Sequence, residues 1–188
     1  MAPNSTVHLI RHAEGYHQLP RDHPNVQIRD ALLTEAGLQQ GKDFCDEFPY
    51  HDKTELLCAS PLRRTIQTAQ LAFKPEIERG MQILAVPEAQ ECLDDPSDTG
   101  SPASDLKSSG WPDGLIDYPL LSENWYVKEG INAPNDLAWR ARAQKLRRLL
   151  RERPEQNIVL VTHGMFGHYI TEHIDPEGHQ TGESAFPS

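Results

Sequence analysis

Apolar residues in this chain fall into short runs bounded by turn-forming residues rather than into long stripes. Val7-His8-Leu9-Ile10, Glu55-Leu56-Leu57-Cys58-Ala59, Gln82-Ile83-Leu84-Ala85-Val86 and Ile158-Val159-Leu160-Val161 are runs of this kind. Each is too short for a helix and bounded as a buried strand is, which predicts strands over 6–11, 54–59, 82–86 and 157–162. The segments between them carry helix signals. Thr34 is a candidate N-cap for a helix running to about Phe48. Ser60 followed by Pro61 reads as an N-cap with proline at the first helical position, opening a helix that stops before Pro75. Asn135 or Asp136 opens a further helix that ends before Pro154, and a short helix is predicted over 165–170. Strands alternating with helices predict an α/β fold: a three-layer α/β/α sandwich with a mostly parallel sheet.

Two stretches break the alternation. Gly15 to Ala31 is polar and contains Pro20 and Pro24. Asp94 to Pro134 is rich in Asp, Ser, Gly and Pro, with Trp111, Tyr118 and Trp125 scattered through it. A stretch that long inside a small domain is functional or disordered. The expectation is a single domain over 1–188, in which 94–134 is an insertion with one or two short helices, lying as a lid over the strand C-terminal ends. The three aromatic residues either line a pocket there or pin the lid to the body. No internal repeat is present.

Composition narrows the function. The 188 residues suffice for one ordinary core. No apolar stretch is long enough to span a membrane, and the N-terminus lacks the charged start and apolar core of a signal peptide. Cys45, Cys58 and Cys92 match no zinc spacing and read as free thiols of a cytoplasmic protein. A net charge of −10 speaks against a nucleic-acid surface. The basic run Arg140, Arg142, Lys145, Arg147, Arg148, Arg151 and Arg153 reads as the solvated face of an amphipathic helix. The expected partner is a small anionic substrate, neither nucleic acid nor membrane, with oligomeric state left open.

In a parallel sheet, strand C-termini line the ligand crevice. Here they carry Arg11-His12 after the first strand, Ser60-Pro61-Leu62-Arg63-Arg64 after the second, Glu88 and Glu91 after the third, and His163 after the last. A neutral imidazole held in one tautomer is a competent nucleophile toward phosphorus. Arginine forks suit the phosphoryl oxygens, and a carboxylic acid can protonate the leaving group.

These residues also resemble a known family. Arg11-His12-Ala13-Glu14, Leu33-Thr34-Glu35-Ala36-Gly37, Ser60-Pro61-Leu62-Arg63-Arg64-Thr65-Ile66-Gln67-Thr68-Ala69 and Thr162-His163-Gly164 look like the histidine phosphatase superfamily, also called phosphoglycerate mutase-like. They stand in the expected order from residue 6 to about 170. The resemblance implies that His12 is a nucleophile that becomes phosphorylated. Arg11, Arg64 and His163 would hold the phosphoryl oxygens, and Glu91 would act as general acid and then base, with Glu88 as runner-up. Glu14 and His17 would line the substrate pocket. No metal or other cofactor is implied. Ala13 departs from the glycine of the best-known members, and 94–134 lacks the compact signature of true mutases. The run from Arg11 to His17 and the Asp98-Thr99-Gly100 segment look like a less-studied fungal and plant branch.

Three rival readings weigh less. Cys58 and Arg64 have the spacing of a cysteine-dependent phosphatase loop, but Pro61 removes a backbone donor and no glycine permits the tight cradle. His8, His17, His23, His51, His168, His173 and His179 form no i, i+4 zinc pattern. A domain that merely binds phosphorylated partners would not need the full set of chemical groups. The expected activity is hydrolysis of a small phosphomonoester through a phosphohistidine. The alternative is a repurposed enzyme of the same kind, in a biosynthetic pathway, performing proton transfer, dehydration or isomerisation on a carboxylated or other non-phosphate substrate.

Overall fold

A computed structural model of the chain describes residues 5–20, 22–24 and 27–173. The polar tail after His173, with His179, and the first four residues lie outside the described residues. Among the described residues five strands form one sheet: β1 (Thr6–Arg11), β2 (Leu56–Ala59), β3 (Ile83–Ala85), β4 (Ile116–Asp117) and β5 (Asn157–Thr162), in the order β1-β5-β2-β3-β4. All four pairings are parallel. Six α-helices accompany them: α1 (Glu35–Glu47), α2 (Arg63–Ala72), α3 (Lys74–Glu78), α4 (Ala103–Ser108), α5 (Asp136–Arg151) and α6 (Gly164–Ile170). The expected α/β sandwich is present, and no helix among the described residues is long and apolar enough to cross a membrane.

Strand alternation divides the core between two faces. Leu57, Ala59, Val159 and Val161 join Ile66, Ala69 and Phe73 in one cluster under α2. Cys58, Ile158 and Leu160 point the other way and join Ala143, Leu146, Leu150 and Phe166 under α5 and α6. A sheet covered on both faces requires strands apolar at every position, which is why the runs read as continuous rather than alternating.

Three expectations need correction. Ser60 is not the N-cap of α2; Leu62 is, in an extended conformation, and the helix begins at Arg63. Pro61 and Leu62 remain outside the helix, which frees the Ser60 hydroxyl for other partners. Next, the 94–134 region is not wholly an insertion over the strand ends. It supplies α4 and also β4, whose Ile116 pairs with Ile83 at the sheet edge. A two-residue strand is too short to leave a periodic signal. Finally, Arg142 is not on a solvated helix face. It is fully buried, with its guanidinium 4.1 Å from the centroid of Phe166. Much of the remaining basic run is balanced by acids, as in Arg140–Asp136, Lys145–Glu88, Arg147–Glu172 and Arg153–Glu155.

The helix caps follow the sequence elsewhere. Thr34 Oγ1 accepts from Gly37 N at 3.0 Å, and Asn135 rather than Asp136 caps α5, accepting from Ala138 N at 3.0 Å. Thr34 also ties α1 to the loop after β1: its Oγ1 donates to Glu14 Oε1 at 2.6 Å and its N–H to Glu14 O at 3.0 Å. The two segments approach so closely that a Cβ on Gly37 would lie 2.0 Å from Glu14 O. Helix propensity alone favours alanine over glycine by about 1 kcal/mol. The clash reverses that sign, so Gly37→Ala is expected to lower stability by about 2 kcal/mol. Urea denaturation of the variant against the wild type checks it, a gain in stability being the contrary result.

Candidate active site

The sheet register sets the site. Arg11 pairs with Thr162, and the ladder continues with His12 N–H donating to Thr162 O at 2.9 Å. On the other side of β5, Ser60 N–H donates to Val161 O at 2.9 Å, and beyond it Val86 N–H donates to Ala59 O at 2.8 Å. Neighbouring parallel strands therefore end level, and their next residues converge. The ring centroids of His12 and His163 are 5.1 Å apart, and those of His12 and His17 are 5.2 Å apart.

Hydrogen bonds assign each imidazole a form. His12 Nδ1 lies 2.7 Å from Ala13 O, so that nitrogen carries the proton and donates it to the carbonyl. The lone pair is then on Nε2. Ala13 is held in turn by its own N–H, which donates to Thr68 Oγ1 of α2 at 3.0 Å. For His163, Nη2 of Arg64 donates to Nδ1 at 3.2 Å, leaving Nε2–H to donate to Ser60 Oγ at 2.9 Å; with both nitrogens engaged, His163 presents no spare N–H for the phosphoryl oxygen it was expected to hold. Both rings are buried. Burial, then the charge of Arg64, pushes the pKa of each well below the usual histidine range. His17 is lowered to about 3 by burial, then by Arg64 and Arg11.

The cations are placed for an anion. Arg64 is fully buried, and Arg11 lies against Gly164, where a Cβ would stand 3.3 Å from its Nε. Arg11 Nε, Arg64 Nε and His17 Nδ1 are buried nitrogens with no hydrogen-bond partner. Leaving a buried donor unpaired costs about 1–3 kcal/mol, so these three nitrogens would gain by meeting an anion. No three His, Cys, Asp or Glu side chains among the described residues are grouped to hold a metal ion.

The glutamates separate. Glu91 Oε1 accepts from Cys92 N at 2.9 Å and from Phe166 N at 3.1 Å, which holds it in the first turn of α6, just beyond His163. Its carbonyl accepts from Lys128 Nζ at 3.0 Å and from Arg142 Nη2 at 3.2 Å. Glu88 instead turns to α5, where Oε1 meets Lys145 Nζ at 2.7 Å. Of the two candidates, the structure brings Glu91 to the histidine side of the crevice and commits Glu88 to an ion pair. The Glu14 carboxylate bonds to Thr34 and so positions the loop after His12.

Sequence reasoning missed five participants. Ser60 read as a cap, yet its hydroxyl is the partner of His163. Asp98 pairs with Arg64 at 3.0 Å. Asp30 is buried beside Arg63, accepting its N–H at 2.8 Å, and burial raises its pKa to about 6. Lys128 and Arg142 meet at the Glu91 carbonyl, and burial lowers Lys128 to about 8. For Asp98 the sole signal was its place in the Asp98-Thr99-Gly100 motif; Asp30 and Lys128 had none. Trp111, Tyr118 and Trp125 pack against the body, Trp125 in a cluster with Leu62 and Ala103. Cys58 is fully buried in β2, where desolvation raises its thiol to about 12, leaving no thiolate to act as a nucleophile.

Protonation of the cluster has a consequence for stability. In the unfolded chain His12 and His163 titrate near 6.5. Below that pH the unfolded state binds protons that the folded state refuses. Stability then falls with pH by about 1.4 kcal/mol per pH unit for each histidine. Asp30 and Asp98, both raised to about 6 by burial, act in the opposite sense between about pH 6 and 4. Replacing both histidines with glutamine removes the first effect alone. Between pH 7 and 5 the double variant is expected to lose less stability than the wild type, by about 2 kcal/mol or more. Urea denaturation at the two pH values measures this, and equal losses would mean the folded histidines take up protons.

Comparison with known proteins bears on family and fold. Residues 7–94 match the family model of the histidine phosphatase superfamily (branch 1). A protein of Schizosaccharomyces pombe named as a probable phosphatase is 25% identical over 166 residues, covering 86% of this chain and 75% of that one. A phosphoglycerate mutase-like protein of Arabidopsis thaliana is 40% identical over a shorter stretch, 38% of this chain and 29% of that protein. Among solved structures, the phosphoglycerate mutase of Bacillus anthracis superposes with a TM-score of 0.59 at 16% identity, covering 95% of this chain and 83% of that one. At that identity the likeness establishes the fold.

Proposed function

This chain belongs to the histidine phosphatase superfamily, and from that premise we propose that it hydrolyses a small phosphomonoester through a phosphohistidine. The observation that carries the reading is His12: its proton is fixed on Nδ1, its Nε2 is free, and the charges of Arg64 and Arg11, each with an unpartnered Nε, act on it. Phosphatase activity also fits the fission yeast relative, which is named as a probable phosphatase.

The reaction follows from these positions. Arg11 and Arg64 hold the non-bridging oxygens, so that positioning and positive charge supply most of the rate enhancement. Nε2 of His12 attacks phosphorus, forming a P–N bond as the ester P–O bond breaks. The departing oxygen takes a proton from the carboxyl group of Glu91. Glu91 then removes a proton from water, which attacks phosphorus and breaks the P–N bond. Orthophosphate leaves and His12 is again neutral. His163 stays neutral throughout and orients Arg64 through its Nδ1. Three free thiols, Cys45, Cys58 and Cys92, fit a reducing cytoplasmic compartment.

His12→Ala is expected to reduce turnover of an aryl phosphate by about 10³-fold or more and to abolish any phosphoenzyme trapped by rapid quench. Cys58→Ser should retain activity. Full activity in the histidine variant, with none in the cysteine variant, would replace this mechanism with a thiolate one.

A further inference from the structure

Asp98-Thr99-Gly100 is set apart in the sequence, and the reaction above gives it no task. Asp98 ends the 3-10 turn Pro96–Asp98, and its Oδ1 accepts from Nη2 of Arg64 at 3.0 Å. Nη1 of Arg64 donates to the Ser97 carbonyl in the same turn. Nη2 also donates to Nδ1 of His163 at 3.2 Å, while Nε has no partner. A guanidinium grips two oxygens through one of two N–H pairs, Nε with Nη2 or Nη1 with Nη2. Both pairs include Nη2, and its two hydrogens are already taken. A phosphoryl group held by this fork must therefore replace Asp98 or His163. His163 is neutral and wholly buried, whereas Asp98 is an anion whose side chain is one-tenth exposed. Repulsion between like charges selects the carboxylate as the group that leaves.

The turn carrying Asp98 is fixed from several directions. Asp98 N–H donates to Asp95 O, and Thr99 Oγ1 donates to the carbonyls of Asp94 and Asp95. Asp30 N–H donates to Pro96 O, and Arg29 donates twice to Gly100 O. Gly100 lies so close under Trp125 that a Cβ would stand 2.3 Å from the indole. Held this way, the carboxylate returns to Arg64 whenever the site empties.

We infer that Asp98 is a specificity-determining residue: a resident carboxylate on Arg64 that a phosphoryl dianion displaces and a singly charged carboxylate does not. Exchanging one carboxylate for another gains nothing at Arg64. A phosphoryl dianion brings more charge, and further oxygens for Arg11 and for Nε of Arg64. The inference rests on the phosphoryl-binding reading of the site.

The test titrates sulfate and acetate calorimetrically into the wild-type protein and into Asp98→Asn, which keeps the shape and the acceptor oxygen but removes the charge. Sulfate is expected to bind the variant about tenfold more tightly or better, because a competing anion beside its site has gone. Acetate is expected to compete with sulfate in the variant and not in the wild type. Sulfate affinity that is unchanged or weaker in the variant overturns the inference, as does acetate competition in the wild type. A crystal structure of the wild-type protein with sulfate decides the matter if the variant does not fold. The expected result is a sulfate oxygen on Nη2 of Arg64 with Asp98 turned away. Sulfate on Arg64 with the Asp98 contact still intact overturns this inference alone. Sulfate bound away from Arg64 and His12 overturns the phosphoryl-binding reading as well.

Discussion

A guanidinium removed from water is the constraint around which this site is arranged. Arg64 is fully buried at the start of α2, and a charge in that position is tolerated when its hydrogens are met by fixed acceptors. The chain supplies three: the Ser97 carbonyl, the Asp98 carboxylate and Nδ1 of His163. The same charge, added to burial, depresses His12, His163 and His17 together. Burial first and this charge second keep the imidazoles unprotonated, and the same charge adds a positive field at the candidate site.

The sheet makes that cation useful. Because β1, β5, β2 and β3 run parallel and in register, the residues after each strand emerge side by side on one edge. His12 and His163 need no long loops to meet; the β1–β5 ladder carries them together. Two apolar clusters hold the sheet from opposite faces, so the strand ends cannot shift independently. Rigidity of this kind suits an imidazole whose lone pair must stay aimed, and the Nδ1–H bond to the Ala13 carbonyl completes it.

What the sequence made legible followed the length of each signal. Strand runs such as 157–162 and capped helices such as the one opened by Thr34 were readable because the pattern repeats over several residues. His12 and His163 were legible as strand-end residues because each directly follows such a run, whereas the choice of Arg64 over Arg63 came from the family resemblance. Ser60 was misread because Ser-Pro is equally good chemistry for a helix cap and for a bend before one; Leu62 settles the choice by remaining extended. Arg142 was misread because a basic helix face hides the one arginine that points inward, under Phe166. β4 and Asp98 depend on contacts across tens of residues, which no local pattern records.

Segment 94–134 also reaches the candidate site. Lys128 from this segment and Arg142 from α5 both bind the Glu91 carbonyl, while the Glu91 carboxylate is held by the first turn of α6. Glu91 is thus held at both its carbonyl and its carboxylate, and one of these contacts comes from the stretch that follows the 7–94 family-model match. Asp98, from the same region, occupies the arginine of the candidate phosphoryl site. A substitution at Lys128 or at Asp98 acts directly on the Glu91 carbonyl or on the Arg64 guanidinium. Under the proposed function the two residues act on one site from one segment, so their substitutions are expected to be non-additive in an activity assay.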